Sequence, residues 1–414
     1  VILAWLYLLL AVWGGYSTAV AVSRGRRPPS RGPLYFIIAF PVAELPLHHI
    51  LLSAAVTALF AWWGAFDRWP AWVGLALVAA SWVLLVHLHL RSLSSQAAID
   101  RGLQEGLGTH FFEQIHPQFA ASLKAGAPLR GWIRPFDVHD RARVERIKDI
   151  SYGPAGRRNL LDVYRPRQPV RGCPVLLQIH GGAWVFGRKD NQGVPLMNEM
   201  ARQGWISVAL NYRLSPRATF PEHLIDCKLA VRWIRENIAD YGGDPGFIAV
   251  TGGSAGGHLA ALVALSANDP KYQPGFEAVD TSVVAAVPFY GAFDFLEHNG
   301  VDVTRASGKS FVEKWVMKSS PRRDREEWER ASPIRWVHAE APPFFVLHGS
   351  HDSLVWPEGG RRFVEALRQV SRKPVAYAEL HGAQHAFDIF NSIRCLNAVN
   401  GVATFLAWVR STRT

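Results

Sequence analysis

A serine, an aspartate and a histidine stand in the second half of this chain in an order suited to nucleophilic catalysis. Ser254 lies in TGGSAGG, residues 251–257, where Gly252, Ser254 and Gly256 satisfy G-x-S-x-G. The flanking glycines let a strand turn sharply into a helix, so that the hydroxyl projects from the tip of the turn. A glycine-rich phosphate loop is the rival reading, but the lysine of G-x-x-x-x-G-K-[ST] is missing. A hydroxyl needs a base, and the base needs an acid to orient it. Asp352 follows FFVLHG and His385 follows AYAEL, which gives the chain order Ser, Asp, His. Asp294 and Asp388 are rival acids, and His348, His351 and His381 are rival bases. Taken singly, Asp352 reads as a turn residue and His385 as a loop histidine; the three in order favour catalysis.

Attack on a carbonyl carbon puts negative charge on its oxygen, and N–H donors must already point there, each worth about 3–4 kcal/mol in the transition state. QIHGGAWVFG, residues 178–187, offers such donors. Its strand-forming run stops at His180, and Gly181 and Gly182 leave the backbone bare. Their amides, with that of Ala255, are the expected oxyanion hole. His180 is expected to orient this loop and not to act as the base. No cofactor and no metal is implied. Cys173, Cys227 and Cys395 are odd in number and widely spaced, which fits neither a zinc site nor a disulfide framework.

Such residues need a rigid frame. Residues 144–152 and 159–164 alternate as strands around a Gly-Pro turn, and residues 175–179 form a continuous apolar run, as in a strand buried on both faces. Further strands are expected at 205–210, 247–250, 283–288, 344–347 and 375–380. Helices fit 194–203, 222–238, 255–267, 359–370 and 395–410. Strand and helix alternate, which predicts an α/β fold with a mostly parallel sheet flanked by helices. Asp352 and His385 fall just past carboxyl ends of strands, where open α/β sheets place their sites.

The first 90 residues are of another kind. The chain has 414 residues, 49% of them hydrophobic, and 16 Trp, and the apolar excess is concentrated at the N-terminus. Apolar stretches at 1–22, 34–66 and 71–90 are each long enough for a membrane span of about 20 residues. Charges fall in the gaps, with Arg24, Arg26, Arg27 and Arg31 in the first, and Trp62, Trp63, Trp69 and Trp72 cluster around the second like an interfacial belt. A buried helical domain, or a cleaved signal peptide ending near Ala19-Val20-Ala21, is the alternative. Pro41 and Pro46 break the middle stretch, giving one kinked helix or a re-entrant half before a span that starts at Leu47. Glu44, His48 and His49 beside them fit a metal or proton relay, or polar packing between helices. Short Arg-rich loops stay cytoplasmic, so three spans would leave the catalytic part in the cytoplasm. The net charge of +11 comes without a basic helix or an RNA-binding aromatic motif, so nucleic acid is not an expected partner.

HGGAW, YRLSP, FPEHLIDC, GGDPGFIAVTGGSAGGHLAA and HGSHDSLV together resemble the hormone-sensitive-lipase-like branch of the α/β-hydrolase superfamily. They are especially similar to membrane-anchored actinobacterial carboxylesterases of the mycobacterial Lip group. The resemblance covers about residues 144–410 and implies an α/β-hydrolase fold with a cap, a Ser254–Asp352–His385 triad, and an oxyanion hole at Gly181, Gly182 and Ala255. Two positions depart from the branch: Gly253 stands where Asp is usual, and His258 where Asn is common. GGSAGGHL is also similar to kynurenine-formamidase-like enzymes. The expected organisation is transmembrane helices over 1–90, a linker or cap segment over 91–140 and a catalytic domain over 141–414. An insertion over 293–340 would add to the cap, although RRDREEWER within it reads as a solvated helical surface. The expected function is a membrane-bound serine carboxylesterase, using an acyl-enzyme on short-to-medium acyl or lipid-derived esters. A formamidase, an acyltransferase and a non-catalytic binding module on a hydrolase frame are the alternatives. The oligomeric state is open.

Overall fold

The computed structural model of the protein describes residues 1–23, 32–296 and 311–413. The arginines at 24, 26, 27 and 31, on which the orientation argument rests, lie outside the described residues.

Four helices open the chain: α1 (Ile2–Val22), α2 (Gly32–Glu44), α3 (Pro46–Trp62) and α4 (Trp69–Leu93). Helix α1 packs along α4, and Gly74 makes room for the Tyr7 ring, because a Cβ there would lie 2.9 Å from it. Tyr7 Oη and Thr57 Oγ1 share a hydrogen bond of 2.8 Å, and Trp82 Nε1 donates to Ser53 Oγ at 2.8 Å. Polar groups are thus satisfied between helices while Leu9, Trp13, Leu51, Leu52 and Val83 face outward. Proline cannot continue a helical ladder, so the break falls at Leu45 before Pro46, and α2 and α3 meet at 89°. Pro41 is held within α2. By length and composition α1 and the rod from Trp69 to Leu107 could each cross a membrane, and the bent α2–α3 pair is a third candidate if it counts as one span. That rod is α4 continued by α5 (Ser95–Leu107), with Ser94 itself in a right-handed helical conformation.

Eight strands form one sheet: β1 (Val144–Ser151), β2 (Leu160–Pro166), β3 (Cys173–Ile179), β4 (Ile206–Leu210), β5 (Gly243–Gly253), β6 (Ala285–Phe289), β7 (Phe344–Gly349) and β8 (Val375–Leu380). Their order is β1-β2-β4-β3-β5-β6-β7-β8, antiparallel over the first two pairings and parallel from β4 onward. Before the sheet come two short helices, α6 (Pro117–Ala120) and α7 (Leu129–Ile133). The later helices are α8 (Val194–Arg202), α9 (Glu222–Asn237), α10 (Ala255–Leu265), α11 (Arg325–Arg330), α12 (Pro357–Val370) and α13 (Ile393–Thr412).

The apolar runs are continuous because both faces of the sheet are covered. Val175 and Leu177 of β3 face a core with Leu224 of α9, Leu259 of α10 and Phe363 of α12. Leu176, between them, faces a core with Leu103 of α5, Met200 of α8 and Phe405 of α13. Residues 91–140 run against β8 and α13. Helix α5 comes close enough to β8 that a Cβ on Gly106 would sit 2.5 Å from Ala376 Cα, and Phe119 of α6 lies under the Arg410 guanidinium at 4.1 Å. The insertion after β6 includes residues 297–310, outside the described set. In its RRDREEWER stretch Arg325–Glu329 and Arg330–Glu326 pair along the exposed face of α11, while Trp328 turns inward and is buried near Phe295.

Candidate active site

Strand β5 ends at Gly253, and α10 begins at Ala255, with Ser254 between them at φ 59° and ψ −121°. Such a conformation is strained for a residue with a side chain and persists only where the surroundings impose it. Here they do. A Cβ on Gly252 would lie 2.5 Å from Ile179 O and 2.6 Å from Gly256 O, so strand, turn and helix pack backbone to backbone. The two departures from the family pattern also find their reasons. A Cβ at Gly253 would lie 2.6 Å from Tyr290 Oη and 2.9 Å from Gln192 Nε2, so a larger residue there would displace the Gln192–Tyr290 pair. His258 is fully buried; its Nε2 donates to Ala331 O at 2.7 Å, its Nδ1 accepts from Trp184 Nε1 at 3.3 Å, and its ring stacks on Phe295 at 4.6 Å. Burial lowers its pKa to about 4, so a neutral His258 ties α10 to the insertion.

Asp352 follows β7 and His385 follows β8, and His385 Nδ1 meets Asp352 Oδ2 at 2.7 Å. The other carboxylate oxygen, Oδ1, accepts the Leu354 and Val355 amides, both at 2.8 Å. Burial alone would raise the pKa of this acid, but the attraction of His385 and hydrogen bonds from His348 and His385 outweigh it and hold the value at about 2. Asp352 is therefore ionised at neutral pH. Ser254 Oγ makes no hydrogen bond to His385 among those of the described residues. Tyr290 stands near both, its ring 4.5 Å from that of His385 and its hydroxyl bordering Gly253, the residue before Ser254. Serine–histidine contacts are often loose until substrate is bound.

None of the rival residues makes the Asp352–His385 contact. Asp294 Oδ1 accepts the Leu296 amide in its own turn. Asp388 accepts the Tyr290 hydroxyl, and burial raises its pKa. His348 Nε2 donates to Val355 O at 2.8 Å and lies 3.3 Å from Asp352 Oδ2. The His351 amide donates to Ala383 O at 2.9 Å, and His381 O accepts from Arg394 Nε at 3.1 Å.

In the loop after β3, His180 stacks on Tyr212 at 4.4 Å and its Nδ1 lies 2.7 Å from Gly181 O. Burial lowers its pKa to about 4, which leaves it neutral. The Gly181 amide donates to Gln192 Oε1 at 2.5 Å, and Gln192 Nε2 donates to Tyr290 Oη at 3.1 Å. A chain of hydrogen bonds therefore runs from Gly181 through Gln192 and Tyr290 to Asp388. Gly182, at φ 116°, follows in the loop, and the Ala255 amide, at the first turn of α10, has no acceptor within the helix. Gln192 and Tyr290 were not legible as site residues, since KDNQG and PFYG have no catalytic spacing.

Glu44, the acid of the broken apolar stretch, meets Arg394 Nη1 at 3.3 Å and accepts from Ser392 Oγ at 2.7 Å. His48 Nε2 lies 3.3 Å from Ile133 O and His49 Nδ1 2.9 Å from Leu45 O. Among the described residues no cluster of three or more His, Cys, Asp and Glu side chains is arranged to hold a metal ion.

A mostly parallel eight-stranded sheet with a strained serine at the β5–α10 turn, and an acid and a histidine after β7 and β8, defines an α/β-hydrolase. The BD-FAE family model matches residues 161–367. The probable carboxylic ester hydrolase LipM of Mycobacterium tuberculosis is 41% identical over 409 residues, covering 96% of this chain and 92% of LipM. Esterase LipC of the same organism is 43% identical over 389 residues, 84% of this chain and 95% of LipC. Among solved structures, butyrate-bound esterase Est2 of Thermogutta terrifontis superposes with a TM-score of 0.52 at 25% identity, over 63% of this chain and 91% of Est2. The chain belongs to the same α/β-hydrolase family of carboxylic ester hydrolases as LipM, and it is an esterase.

Proposed function

We propose that the protein is a membrane-anchored serine carboxylesterase in which Ser254 is the nucleophile, His385 the general base and Asp352 the acid that orients it. The Asp352–His385 hydrogen bond of 2.7 Å beside the strained Ser254 turn carries this reading. His385 Nε2 takes the proton of Ser254 Oγ as that oxygen attacks the ester carbonyl. The same nitrogen returns the proton to the alkoxide as the C–O bond breaks, which leaves an acyl group on Ser254. Water, deprotonated by His385, then releases the acid. Asp352, ionised and held by two backbone amides, fixes the tautomer with the proton on Nδ1. The Gly182 and Ala255 amides are the donors assigned to the developing oxyanion. The Gly181 amide, bound to Gln192, joins them only if that bond opens.

The outward apolar surfaces of α1, α3 and α4 support insertion in a bilayer, with the catalytic part on the cytoplasmic side under a three-span topology. Short-to-medium acyl chains are expected to be favoured over long triglycerides, since each buried CH₂ contributes about 0.8 kcal/mol only until the acyl site ends. A fluorophosphonate probe and a panel of p-nitrophenyl esters with N-formylkynurenine test the reading. Labelling is expected at Ser254 and absent from Ser254→Ala. Ser254→Ala, Asp352→Asn and His385→Ala are each expected to lower kcat by about 10³-fold or more with the fold intact. Preference for the formamide, or near-normal turnover in Asp352→Asn, would overturn it.

A further inference from the structure

Helix α2 belongs by sequence to the apolar N-terminal region, yet it is bound to the loops that carry the acid and the base. At its start Gly32 O accepts from Ser353 Oγ at 3.3 Å, and Ser353 follows Asp352 directly. A side chain at Gly32 would run into the Ser353 carbonyl, so helix and loop touch backbone to backbone. At its end Ala43 O accepts from Arg394 Nη1 at 2.8 Å, and the Glu44 carboxylate pairs with Arg394 and Ser392. Between these two anchors the Phe36 ring stands edge-on to His385 at 6.0 Å and stacks on Phe40 at 5.2 Å. Phe40 stacks on Phe390 at 5.1 Å, and Phe390 meets Phe136, which is 72% exposed, at 5.4 Å. The opposite face of α2 packs Ile38 and Val42 against Val20 of α1 and Leu85 of α4.

The chemistry says which half of an ester such a helix meets. Resting on the triad reading above, His385 Nε2 gives its proton to the alkoxide oxygen when the acyl C–O bond breaks, so the leaving alcohol lies within hydrogen-bond reach of that nitrogen. Rings packed on His385 border the alcohol half, and the oxyanion loop borders the carbonyl. Two rings do so: Tyr290, fully buried and engaged with Asp388 and Gln192, and Phe36, partly exposed and carried by α2. We propose that α2 is a wall of the leaving-group site and that Phe36 sets its selectivity, so that the enzyme favours esters of long apolar alcohols whose chains lie along the Phe36–Phe40–Phe390 surface. The expected substrate class is an ester of a membrane-soluble alcohol.

The test uses the full chain in detergent or nanodiscs and a series of butyrates of methanol, butanol, octanol and dodecanol. The acid released gives kcat/KM for each. Phe36→Ala is expected to lower the octyl-to-methyl ratio of kcat/KM about tenfold, the factor for roughly two methylenes losing burial. The ratio across p-nitrophenyl esters of different acyl length should stay within about twofold, because the leaving group there is constant. Phe36→Leu, which keeps an apolar side chain and the fold, should lower the octyl-to-methyl ratio about threefold and carries the test if the alanine variant does not fold. Ile37→Ala, on the outward side of the same helix, should leave both ratios unchanged. An unchanged octyl-to-methyl ratio in the Phe36 variants, an equal change in Ile37→Ala, or a change confined to the acyl series would overturn the proposal. Fluorophosphonate labelling of Ser254 separates the two readings: its absence from the unaltered protein refutes the triad, whereas normal labelling with unchanged alcohol selectivity refutes the wall.

Discussion

Glu44→Ala is the most informative single change outside the proposed triad. Glu44 and Arg394 are both fully buried at the side chain, and the pair joins the end of α2 to the start of α13. Removing the carboxylate leaves the guanidinium in the interior with Ala43 O at 2.8 Å and His381 O at 3.1 Å as neutral acceptors, and no counter-charge from Glu44. Breaking a buried pair from one side costs about 3–5 kcal/mol, because the surviving charge has lost its water and gained nothing in return. The loss should appear as local opening of α2 before global unfolding, since α2 is held to the segments after β7 and β8 by this pair, by Ser353 and by aromatic contacts. An opening free energy lowered by that amount raises the open population about 2 × 10²- to 5 × 10³-fold. Hydrogen exchange across residues 33–44 measures it directly, and esterase activity should fall in parallel. Replacing both partners, as Glu44→Met with Arg394→Met, should recover much of the loss, and the double-mutant cycle gives the coupling. Exchange in Glu44→Ala as slow as in the unaltered chain would refute the argument, and so would a double variant no better than the single one.

Gln192→Ala unties the loop after β3 from Tyr290, and the lost positioning is expected to outweigh the donor it frees at Gly181; kcat is expected to fall about tenfold or more with little change in KM, and a kcat within about twofold of normal would refute a positioning role. The Asp352 value of about 2 lies below the ordinary 3.8, so its contribution to stability is fully present above about pH 4 and is lost as pH falls towards 2. That contribution is about 2 kcal/mol, and guanidinium unfolding at pH 5 and pH 2.5 should show the loss in the unaltered protein and a smaller one in Asp352→Asn. Fusing alkaline phosphatase after residue 140 should give an inactive reporter under the three-span topology; an active one would place the catalytic part outside.

What the sequence shows depends on how local its cause is. The sheet strands and the Ser254 turn were legible because continuous apolar runs and G-x-S-x-G are local patterns with one good structural solution. Asp352 and His385 were legible as candidates through their order and their places after strands, but their contact lies across 33 residues. Gln192 and Tyr290 were out of reach, being 98 residues apart and joined only by the folded sheet. The break at Pro46 was foreseen, whereas the docking of α2 against His385 was not. Phe36 and Phe40 had no mark of their own within the apolar stretch, because Phe390, which Phe40 stacks on, stands 350 positions later. Glu44 raised a metal or relay reading because its partner, Arg394, stood just as far away. The fit of α5 to β8 was also hidden, although Gly102 and Gly106, one turn apart, mark a small-residue face whose Cβ atoms would meet residues 376–378.

The rod of 39 residues from Trp69 to Leu107 changes how the enzyme would search for substrate. A catalytic domain on a flexible linker explores a hemisphere and meets membrane solutes only for a fraction of the time. Here α4 packs in the apolar bundle and α5, following it through Ser94, packs against β8, about 58 Å of helix at 1.5 Å per residue. For the anchored enzyme proposed above, the cost of orienting the site towards the bilayer is met once, at folding, and not at each encounter. The local concentration of an ester dissolved in the membrane is then set by its amount per area of lipid, not by its solubility in water. Turnover should therefore scale with the mole fraction of substrate in the vesicle and be indifferent to dilution of the whole suspension.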